Sequence, residues 1–434
     1  MMQVQDLRLK EEVLPFFNFT NNSHSEARLL YLLQHAPDTQ TEVAERVAIV
    51  HGMLVNWAVL KDFTYHKLDL LEVHAFMETI AGTGYRESRL KSWLRFKVYD
   101  AERHQLQAKL VQLILLLNGL QQQYLNRLRS AAFPDKFKAE LIAAVRFLEV
   151  LHLETMANVV RENSFRTTHV VEFSERLAAL APTKVRRFWE FFFQFEAYWS
   201  IARSMQTHGF TFSDFNNEVL EITDFYHPLI KYPVKNSVRF TEEQNVLLLT
   251  GANMAGKSTL LKAVSLCVYL ARVGFPVPAA ACTVPFFSAV VLAINLNDNL
   301  RDGYSHFMTE LKNLKAVLQV SHNGSKCFAV FDEIFRGTNV DDALEITRTT
   351  INGLAGRKGS HFMVSTHMLQ LEEQLYPETS ESVQKCYIEC SLQNGEPTFT
   401  YKLQNGWSQL KIGRILFEKE GLPQLLEHEL PAQL

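Results

Sequence analysis

The stretch TGANMAGKST, residues 250–259, brings glycines, a lysine and hydroxyl side chains together at a spacing suited to phosphate chemistry. Gly251 and Gly256 can adopt backbone angles that other residues avoid, so consecutive N–H groups can turn towards phosphate oxygens. Lys257 supplies a positive charge for the β- and γ-phosphates, and Ser258 supplies a hydroxyl for Mg²⁺. Because an apolar run precedes the stretch and a helical apolar pattern follows it, we predict a phosphate-binding loop. The alternative is a glycine-rich turn without a ligand.

Two further apolar runs end in polar side chains that would complete such a site. Residues 327–331 are typical of a strand and run into Asp332 and Glu333, and a later apolar run leads into His367. Asp332 would orient water on Mg²⁺, and Glu333 would be the general base that polarises the attacking water. His367 would sense the γ-phosphate through a water. The alternatives are a solvated acidic turn and a hydrogen-bonded structural histidine.

Composition and charge restrict the classes of protein that fit this sequence. Its 434 residues are 47% hydrophobic, enough for two or three domains, and a formal charge of −3 leaves no overall positive charge for nucleic acid. The five cysteines lie mostly in apolar runs, and the polar start of the chain is unlike a signal peptide. Residues 273–297 carry no charge, but prolines interrupt them, which favours buried strands over a membrane span. We therefore expect a cytoplasmic protein without a membrane segment.

The pattern of the sequence changes about halfway along the chain. Before this point, leucines recur at helical spacing over residues 106–128. An aromatic stripe from Phe188 to Trp199 is expected to be core rather than a binding platform. After this point, strands and helices alternate with glycine-rich turns, which is typical of an α/β nucleotide-binding sheet. We predict an α-helical domain over residues 1–214 and a P-loop domain over residues 215–434.

Several motifs in the C-terminal half resemble, in the same order, those of the MutS family of DNA mismatch-repair proteins. The loop at 250–259 is one of them, and FDEIFRGT at 331–338 contains another. The resemblance covers residues 222–425 and implies an α/β P-loop ATPase domain of ABC-like, MutS type, preceded by an all-α core and lever domain. It also implies ATP and Mg²⁺ as cofactors, with hydrolysis of ATP to ADP and phosphate. The other matching motifs are His227-Pro228, residues 303–311, Ser365-Thr366-His367, Tyr401-Lys402-Leu403 and Gly421-Leu422-Pro423.

The resemblance assigns roles to further residues of the site. Ser305, in the segment similar to the family's signature, would reach the ATP of a partner subunit in a homodimer with two composite ATP sites. Tyr232 would replace the aromatic residue that stacks on adenine, and Asn236 matches a polar position near the base. The predicted catalytic residues are Lys257, Glu333 and His367, the predicted metal ligands are Ser258 and Asp332, and the predicted phosphate contacts are Gly251, Ala252, Asn253, Met254, Ala255, Gly256, Lys257, Ser258 and Thr259.

Departures from the family pattern bear on function. Nothing before residue 19 resembles a mismatch-recognition or connector domain, and no Phe-Xaa-Glu sequence occurs in the first 40 residues. His306 stands where the signature has threonine, and Phe335 stands where the family has glycine. We therefore expect a short member of the family that lacks these two N-terminal domains. It would retain the phosphate chemistry without reading mismatches directly.

A basic segment over residues 86–146 is the candidate DNA contact. It holds 12 lysines and arginines against 5 acidic residues, on a chain that is net negative. Such a segment would bind phosphates without sequence preference and with a strong salt dependence. The alternative is a solvated helix surface. The basic residues are Arg86, Arg89, Lys91, Arg95, Lys97, Arg103, Lys109, Arg127, Arg129, Lys136, Lys138 and Arg146.

Together these expectations describe an ATP-dependent, DNA-binding ATPase of the MutS type in DNA repair or recombination, with a repair protein as a further partner. The alternative from another class is a nucleotide-switched dimer that grips a protein partner without DNA. Hydrolysis that DNA stimulates would favour the first, whereas a lack of DNA binding at any salt concentration would favour the second. A transporter ATPase fits less well, because no LSGGQ-like sequence occurs.

Overall fold

The computed structural model describes residues 2–82, 100–252, 254–294, 306–322, 324–335, 338–393, 396–408 and 412–426. Contacts divide the chain into two compact units. The helical unit is Leu14–Thr207, and the sheet unit combines Met1–Val13 with His208–Leu434. The domain boundary expected between residues 214 and 215 stays a prediction, and the contacts group the first thirteen residues with the sheet unit.

Every element assigned in the described part of the helical unit is a helix. Local sequence signals set where some of these helices begin. Thr39 forms a capping box with Glu42, and the side chain of Asn22 accepts a hydrogen bond from the Ser25 N–H. The α-helices are α1 Leu14–Phe17, α2 Ser23–Gln34, α3 Gln40–Val55, α4 Trp57–Leu60, α5 Lys67–Ile80, α6 Asp100–Leu120, α7 Asp135–Glu149, α8 Leu153–Arg161, α9 Thr167–Ala178 and α10 Pro182–His208, and a π-helical segment Gln121–Leu125 follows α6.

The long helix α10 carries the aromatic core of the helical unit. Phe188, Trp189, Phe192 and Phe195 are each at most 2% exposed. Aromatic side chains remove a large apolar area from water when they pack against one another, which stabilises the unit. The prediction that this stripe is core rather than a binding platform is confirmed.

The sheet unit contains two β-sheets and the helices that pack against them. Its strands are β1 Met2–Gln3, β2 Asp214–Phe215, β3 Leu220–Phe225, β4 Asn236–Phe240, β5 Val246–Thr250, β6 Ala281–Val284, β7 Ala289–Ala293, β8 Cys327–Asp332, β9 His361–Ser365, β10 Val383–Gln393 and β11 Glu396–Asn405. Among the described residues, one sheet has seven strands in the order β1-β7-β8-β9-β5-β10-β11, and the other has four in the order β2-β6-β3-β4. The helices are a 3₁₀ turn Gln5–Leu7, a π-helical segment Leu9–Val13, α11 Lys257–Val273, α12 His306–His322, α13 Val340–Ala355, α14 Leu371–Gln374, α15 Pro377–Ser380, α16 Ile412–Lys419 and α17 Leu422–Leu426.

Strands β8, β9 and β5 are neighbours in the larger sheet and run parallel. Their carboxyl ends therefore meet at one edge, and Ser365 lies opposite both Leu249 and Asp332 in the register. Strands covered on both faces read as continuous apolar runs, and all five residues of β5 are buried. The sheet thus brings three polar segments of the sequence to one place.

The first residues of the chain form an edge strand rather than a helix. Met2 and Gln3 pair in parallel with Val290 and Val291 of β7. A strand edge offers unpaired N–H and C=O groups to any extended segment nearby, which explains the pairing. β1 and the first residue of β2 are therefore strand within residues 1–214, where the sequence pattern predicted helix.

The uncharged stretch 273–297 contains β6 and β7, which confirms the interpretation as strands. No helix in the described part of the chain is long and apolar enough to cross a membrane. All five cysteines are buried free thiols. A cytoplasmic location stays a prediction.

Candidate active site

The loop between β5 and α11 has a backbone that its glycines allow. Gly251 has a φ of 144°, and Gly256, which precedes α11, has a φ of 94°. A Cβ atom at Gly256 would lie 3.2 Å from the ring of Tyr401, so a side chain there would be strained and crowded. Met254 also has a positive φ, 69°, without being glycine. The described part of this loop leads into the N-terminus of α11, and helix N-termini favour anions.

Lys257 places a positive charge inside this loop. It is the first residue of α11 and is 5% exposed. Its Nζ donates hydrogen bonds to the backbone oxygens of Gly251 and Ala252, at 3.0 and 3.2 Å. The same Nζ lies 3.9 Å from Glu333 Oε1 and 3.4 Å from His367 Nε2. Because burying an unpaired charge is costly, this setting keeps the ammonium in place beside the two other predicted catalytic side chains.

Ser258 and Asp332 meet directly, since Ser258 Oγ donates to Asp332 Oδ2 at 2.5 Å. The other carboxylate oxygen, Asp332 Oδ1, accepts a hydrogen bond from the hydroxyl of Ser365. Mg²⁺ prefers oxygen ligands and is usually held by about one or two carboxylates together with substrate phosphates. A hydroxyl and a carboxylate beside a phosphate loop fit that ligand set. Among the described residues there is no group of three or more His, Cys, Asp or Glu side chains that could hold a metal ion.

Glu333 follows β8 with a left-handed backbone, φ 57°, which glutamate rarely adopts. Its N–H donates to the backbone oxygen of Ser365 at 3.2 Å and to Ser365 Oγ at 2.9 Å. Its Oε1 lies 2.5 Å from Nε2 of His367, which follows β9. Strained backbone of this kind clusters at functional sites. The arrangement presents a carboxylate, held by an imidazole, next to the loop.

Comparison with known proteins identifies the sequence around this site. A family model described as MutS domain V matches residues 247–429. The chain is 31% identical over 193 residues to the DNA mismatch repair protein MutS of Lactococcus lactis subsp. lactis (strain IL1403), covering 44% of this chain and 22% of that protein. It is 27% identical over 225 residues to the DNA mismatch repair protein MutS of Lactobacillus johnsonii, covering 50% of this chain and 26% of that protein. It is 28% identical over 217 residues to the DNA mismatch repair protein MutS of Bacillus mycoides (strain KBAB4), covering 49% of this chain and 24% of that protein.

Residues 247–429 belong to the MutS family, as MutS domain V. The resemblance predicted from the motifs is thereby confirmed, and so is the α/β class of the C-terminal half, which forms a mixed sheet flanked by helices. The chain spans about a quarter of the length of the curated relatives it matches, which is 22–26%. The core and lever character of the helical unit stays a prediction.

A cavity of about 340 Å³ lies beside the phosphate loop of the MutS domain, and Thr259 is among the residues that line it. Tyr232 and Asn236, which the family resemblance assigned to the adenine base, both line this cavity. Tyr232 is 82% exposed, whereas Asn236 Nδ2 donates to the backbone oxygen of Tyr401 at 2.9 Å. The size suits a small-molecule site, since such pockets measure about 300–1,000 Å³. Base binding by either residue stays a prediction.

Three residues near the site were not given a role from the sequence. Tyr401 lines the cavity, and Ser365 holds both Asp332 and the N–H of Glu333. Glu310 accepts a hydrogen bond from the N–H of residue 335, in the turn after Glu333. All three lie in segments similar to MutS motifs, and this was the available signal.

Some predicted residues lie outside the described residues. Among the site residues these are Asn253 and Ser305, and the side chain of His306 is likewise outside them. Arg336 and Gly337, in the motif FDEIFRGT at residues 331–338, also lie outside the described residues. In the basic segment they are Arg86, Arg89, Lys91, Arg95 and Lys97.

The rest of the basic segment lies in the helical unit. Arg127, Lys136 and Arg146 are exposed. Arg129 pairs with Glu149 at 2.9 Å, and both side chains are close to half exposed. An exposed ion pair contributes little, about 0–1 kcal/mol, so it would give way to a phosphate at small cost. The surface fits a phosphate-binding role, and the DNA contact stays a prediction.

Proposed function

We propose that this chain is a MutS-type ATPase that binds ATP with Mg²⁺, hydrolyses it to ADP and phosphate, and acts on DNA in repair or recombination. One observation carries the ATPase proposal. Lys257, Ser258, Asp332 and Glu333, from two segments far apart in the sequence, meet beside one loop whose two glycines have positive φ. A buried lysine at the N-terminus of a helix, beside a carboxylate and an imidazole, suits an anionic ligand that carries phosphate groups.

The binding step follows from the loop. The phosphates of ATP would lie against the loop N–H groups at residues 251–256, with the negative charge at the N-terminus of α11. Lys257 Nζ would exchange its bonds with loop carbonyls for γ-phosphate oxygens. When bound, Mg²⁺ would neutralise charge on the β- and γ-phosphates, and Ser258 and Asp332 are the residues that would hold it. The base would enter the cavity that Tyr232, Asn236 and Tyr401 line.

The chemical step follows from Glu333. Its carboxylate would take a proton from a water as the water oxygen attacks the γ-phosphorus. The bond between that phosphorus and the β–γ bridging oxygen breaks, and ADP leaves with the electron pair. His367 would hold the carboxylate through the 2.5 Å contact with Oε1. Ser365 would keep the backbone of Glu333 in place through the Glu333 N–H.

The proposal extends to a homodimer with composite sites, in which Ser305 of one chain serves the ATP held by Lys257 of the other. Mixing K257A chains with S305A chains tests this. In a mixed dimer one site lacks both groups and the other has both. Random mixing would therefore return roughly a quarter of the wild-type hydrolysis by symmetry. If Ser305 acts within its own chain, mixing restores nothing.

The proposed DNA role rests on the basic surface of the helical unit and on the similarity to DNA mismatch repair proteins. A fluorescence-anisotropy survey of homoduplex, mismatched, branched and single-stranded DNA, with and without ATP, tests it. We expect salt-dependent binding, stimulation of hydrolysis by DNA, and no mismatch preference above about tenfold. ATP-dependent dimerisation without DNA binding at low salt would favour the nucleotide-switched interaction module instead.

A further inference from the structure

Helix α12 contributes a buried carboxylate next to the proposed active site. Glu310 is only 4% exposed, and its Oε2 accepts a hydrogen bond from the N–H of Phe335 at 3.0 Å. Phe335 lies two residues after Glu333, the proposed general base. Burying an ionised carboxylate costs free energy unless donors compensate it, and hydrogen bonds to an ionised acceptor are among the strong ones. The contact therefore fixes a definite point of the turn after β8.

The turn after β8, residues 333–335, has a strained backbone that its surroundings must stabilise. Glu333 and Phe335 have φ values of 57° and 67°, in the left-handed region that bulky side chains avoid. A residue in this region persists only where its surroundings impose the conformation. At the start of the turn, the hydroxyl oxygen of Ser365 accepts a hydrogen bond from the backbone N–H of Glu333. At the other end, Phe335 is fully buried with its ring 5.9 Å from that of Phe307, and its N–H is bonded to Glu310.

We propose that Glu310 is a positioning residue for hydrolysis: it holds the turn at Phe335 and thereby aims the Glu333 carboxylate. This inference rests on the proposed ATPase function. The contact that carries the proposal is with the turn that follows Glu333, so we expect its loss to act on the base rather than on nucleotide binding. A displacement of about 1 Å in a reacting group can cost on the order of 10²-fold in rate. Loosening the turn is therefore enough to slow hydrolysis.

Two substitutions separate positioning from mere packing. E310A removes the acceptor, and we expect kcat to fall about 10- to 100-fold with the ATP dissociation constant within about threefold of wild type. E310Q keeps an oxygen acceptor of the same reach, and we expect its kcat to stay within about threefold of wild type. Q319A is the matched control, because Gln319 is an exposed polar residue of similar size on the same helix. It should leave kcat and binding unchanged.

The decisive readout is the double variant E310A/E333A. If Glu310 acts through Glu333, removing Glu310 changes nothing once the base is gone, and the double variant hydrolyses ATP at the E333A rate. If Glu310 only stabilises the fold, the two losses multiply. Should E310A fail to fold, E310D takes its place, since its shorter side chain withdraws the acceptor from Phe335.

Three results would overturn the inference. They are wild-type kcat in E310A, a loss of ATP affinity in E310A that matches its loss of kcat, and multiplying losses in the double variant. In each of these cases the wild-type chain still hydrolyses ATP and the proposed function stands. A wild-type chain that does not hydrolyse ATP would overturn both proposals.

Discussion

Each unit contains a glutamate that is largely shielded from solvent, and the two differ in the charge of their neighbours and in their backbone conformation. In the helical unit, Glu196 is fully buried and its carboxylate accepts four hydrogen bonds, each 2.7 Å long. The donors are the backbone N–H of Asn21, the side-chain amide of Asn22, and the hydroxyls of Ser25 and Tyr65. All four donors are neutral. Three of the bonds join the start of α2 to the long helix α10, and the fourth joins Tyr65, just before α5, to the same helix.

In the sheet unit, the side chain of Glu333 is 13% exposed and lies beside an ammonium and an imidazole. Its own backbone is in the left-handed region, whereas Glu196 lies within a regular helix. A carboxylate surrounded by neutral donors on an unstrained backbone fixes a fold. A carboxylate beside titratable or cationic groups on a strained backbone is available for chemistry. The two residues therefore contrast a structural use of a glutamate with the proposed catalytic use of Glu333.

The largest expected effect is on hydrolysis. E333A should lower kcat by about 10²–10⁴-fold, because the general base is lost, while ATP still binds. Its thermal midpoint should stay close to that of wild type. E333Q, which keeps the size of the side chain, should lose as much. Single-turnover hydrolysis measures the rate, and nucleotide titration measures the binding. Wild-type turnover in E333A would remove Glu333 from the mechanism.

Replacing Glu196, the glutamate of the helical unit, should lower the stability of the protein rather than its activity. E196A leaves buried donors without an acceptor, and we expect the free energy of unfolding of the helical unit to fall by about 2–4 kcal/mol. The remaining folded protein should bind ATP normally. Urea unfolding followed by circular dichroism gives the value, with E196Q, which keeps one acceptor oxygen, as an intermediate case. A loss below about 1 kcal/mol would show that the four contacts do not act together.

If the buried groups of the helical unit serve only its stability, DNA binding by this unit would depend on its exposed basic residues. Reversing the charge of Arg127, Arg129, Lys136 and Lys138 should weaken duplex binding by about tenfold or more, and equally across sequences, because phosphate contacts carry no base information. The slope of affinity against salt should become shallower. Anisotropy titrations at several salt concentrations measure both. Unchanged affinity would favour the interpretation as a solvated helix surface.

The smallest expected effect is a pH dependence. Burial raises the pKa of Glu196 above its usual value of 4.5, although its four hydrogen bonds oppose the shift. The folded chain therefore holds this proton more tightly than the unfolded chain does. The resulting contribution to stability is fully present below the unfolded pKa and is lost as pH rises through the folded pKa. Unfolding of wild type and E196Q compared between about pH 4 and 8 isolates it. A difference that does not change with pH would contradict the shift.

The sequence predicts the meeting of the phosphate loop with Asp332, Glu333 and His367 for a simple reason. Parallel strands end at one edge of their sheet, so polar residues at those ends are neighbours whatever the loops do. The roles of these residues stay predictions. Glu310 was missed because its partner is a backbone N–H, which residue types do not show, so its place in the motif at residues 303–311 was the only signal. β1 was missed because two residues are too few to show a strand pattern.

The cluster at the carboxyl ends of β5 and β8 is proposed to hydrolyse ATP. The most direct test is phosphate release from ATP by purified wild-type chain, with and without Mg²⁺, beside K257A purified in parallel. Lys257 is the buried cation of the loop, so its loss should abolish binding or turnover while a contaminating ATPase would remain. We predict Mg²⁺-dependent release from wild type and none above background from K257A. Equal release from both proteins, or none from wild type, would contradict the account.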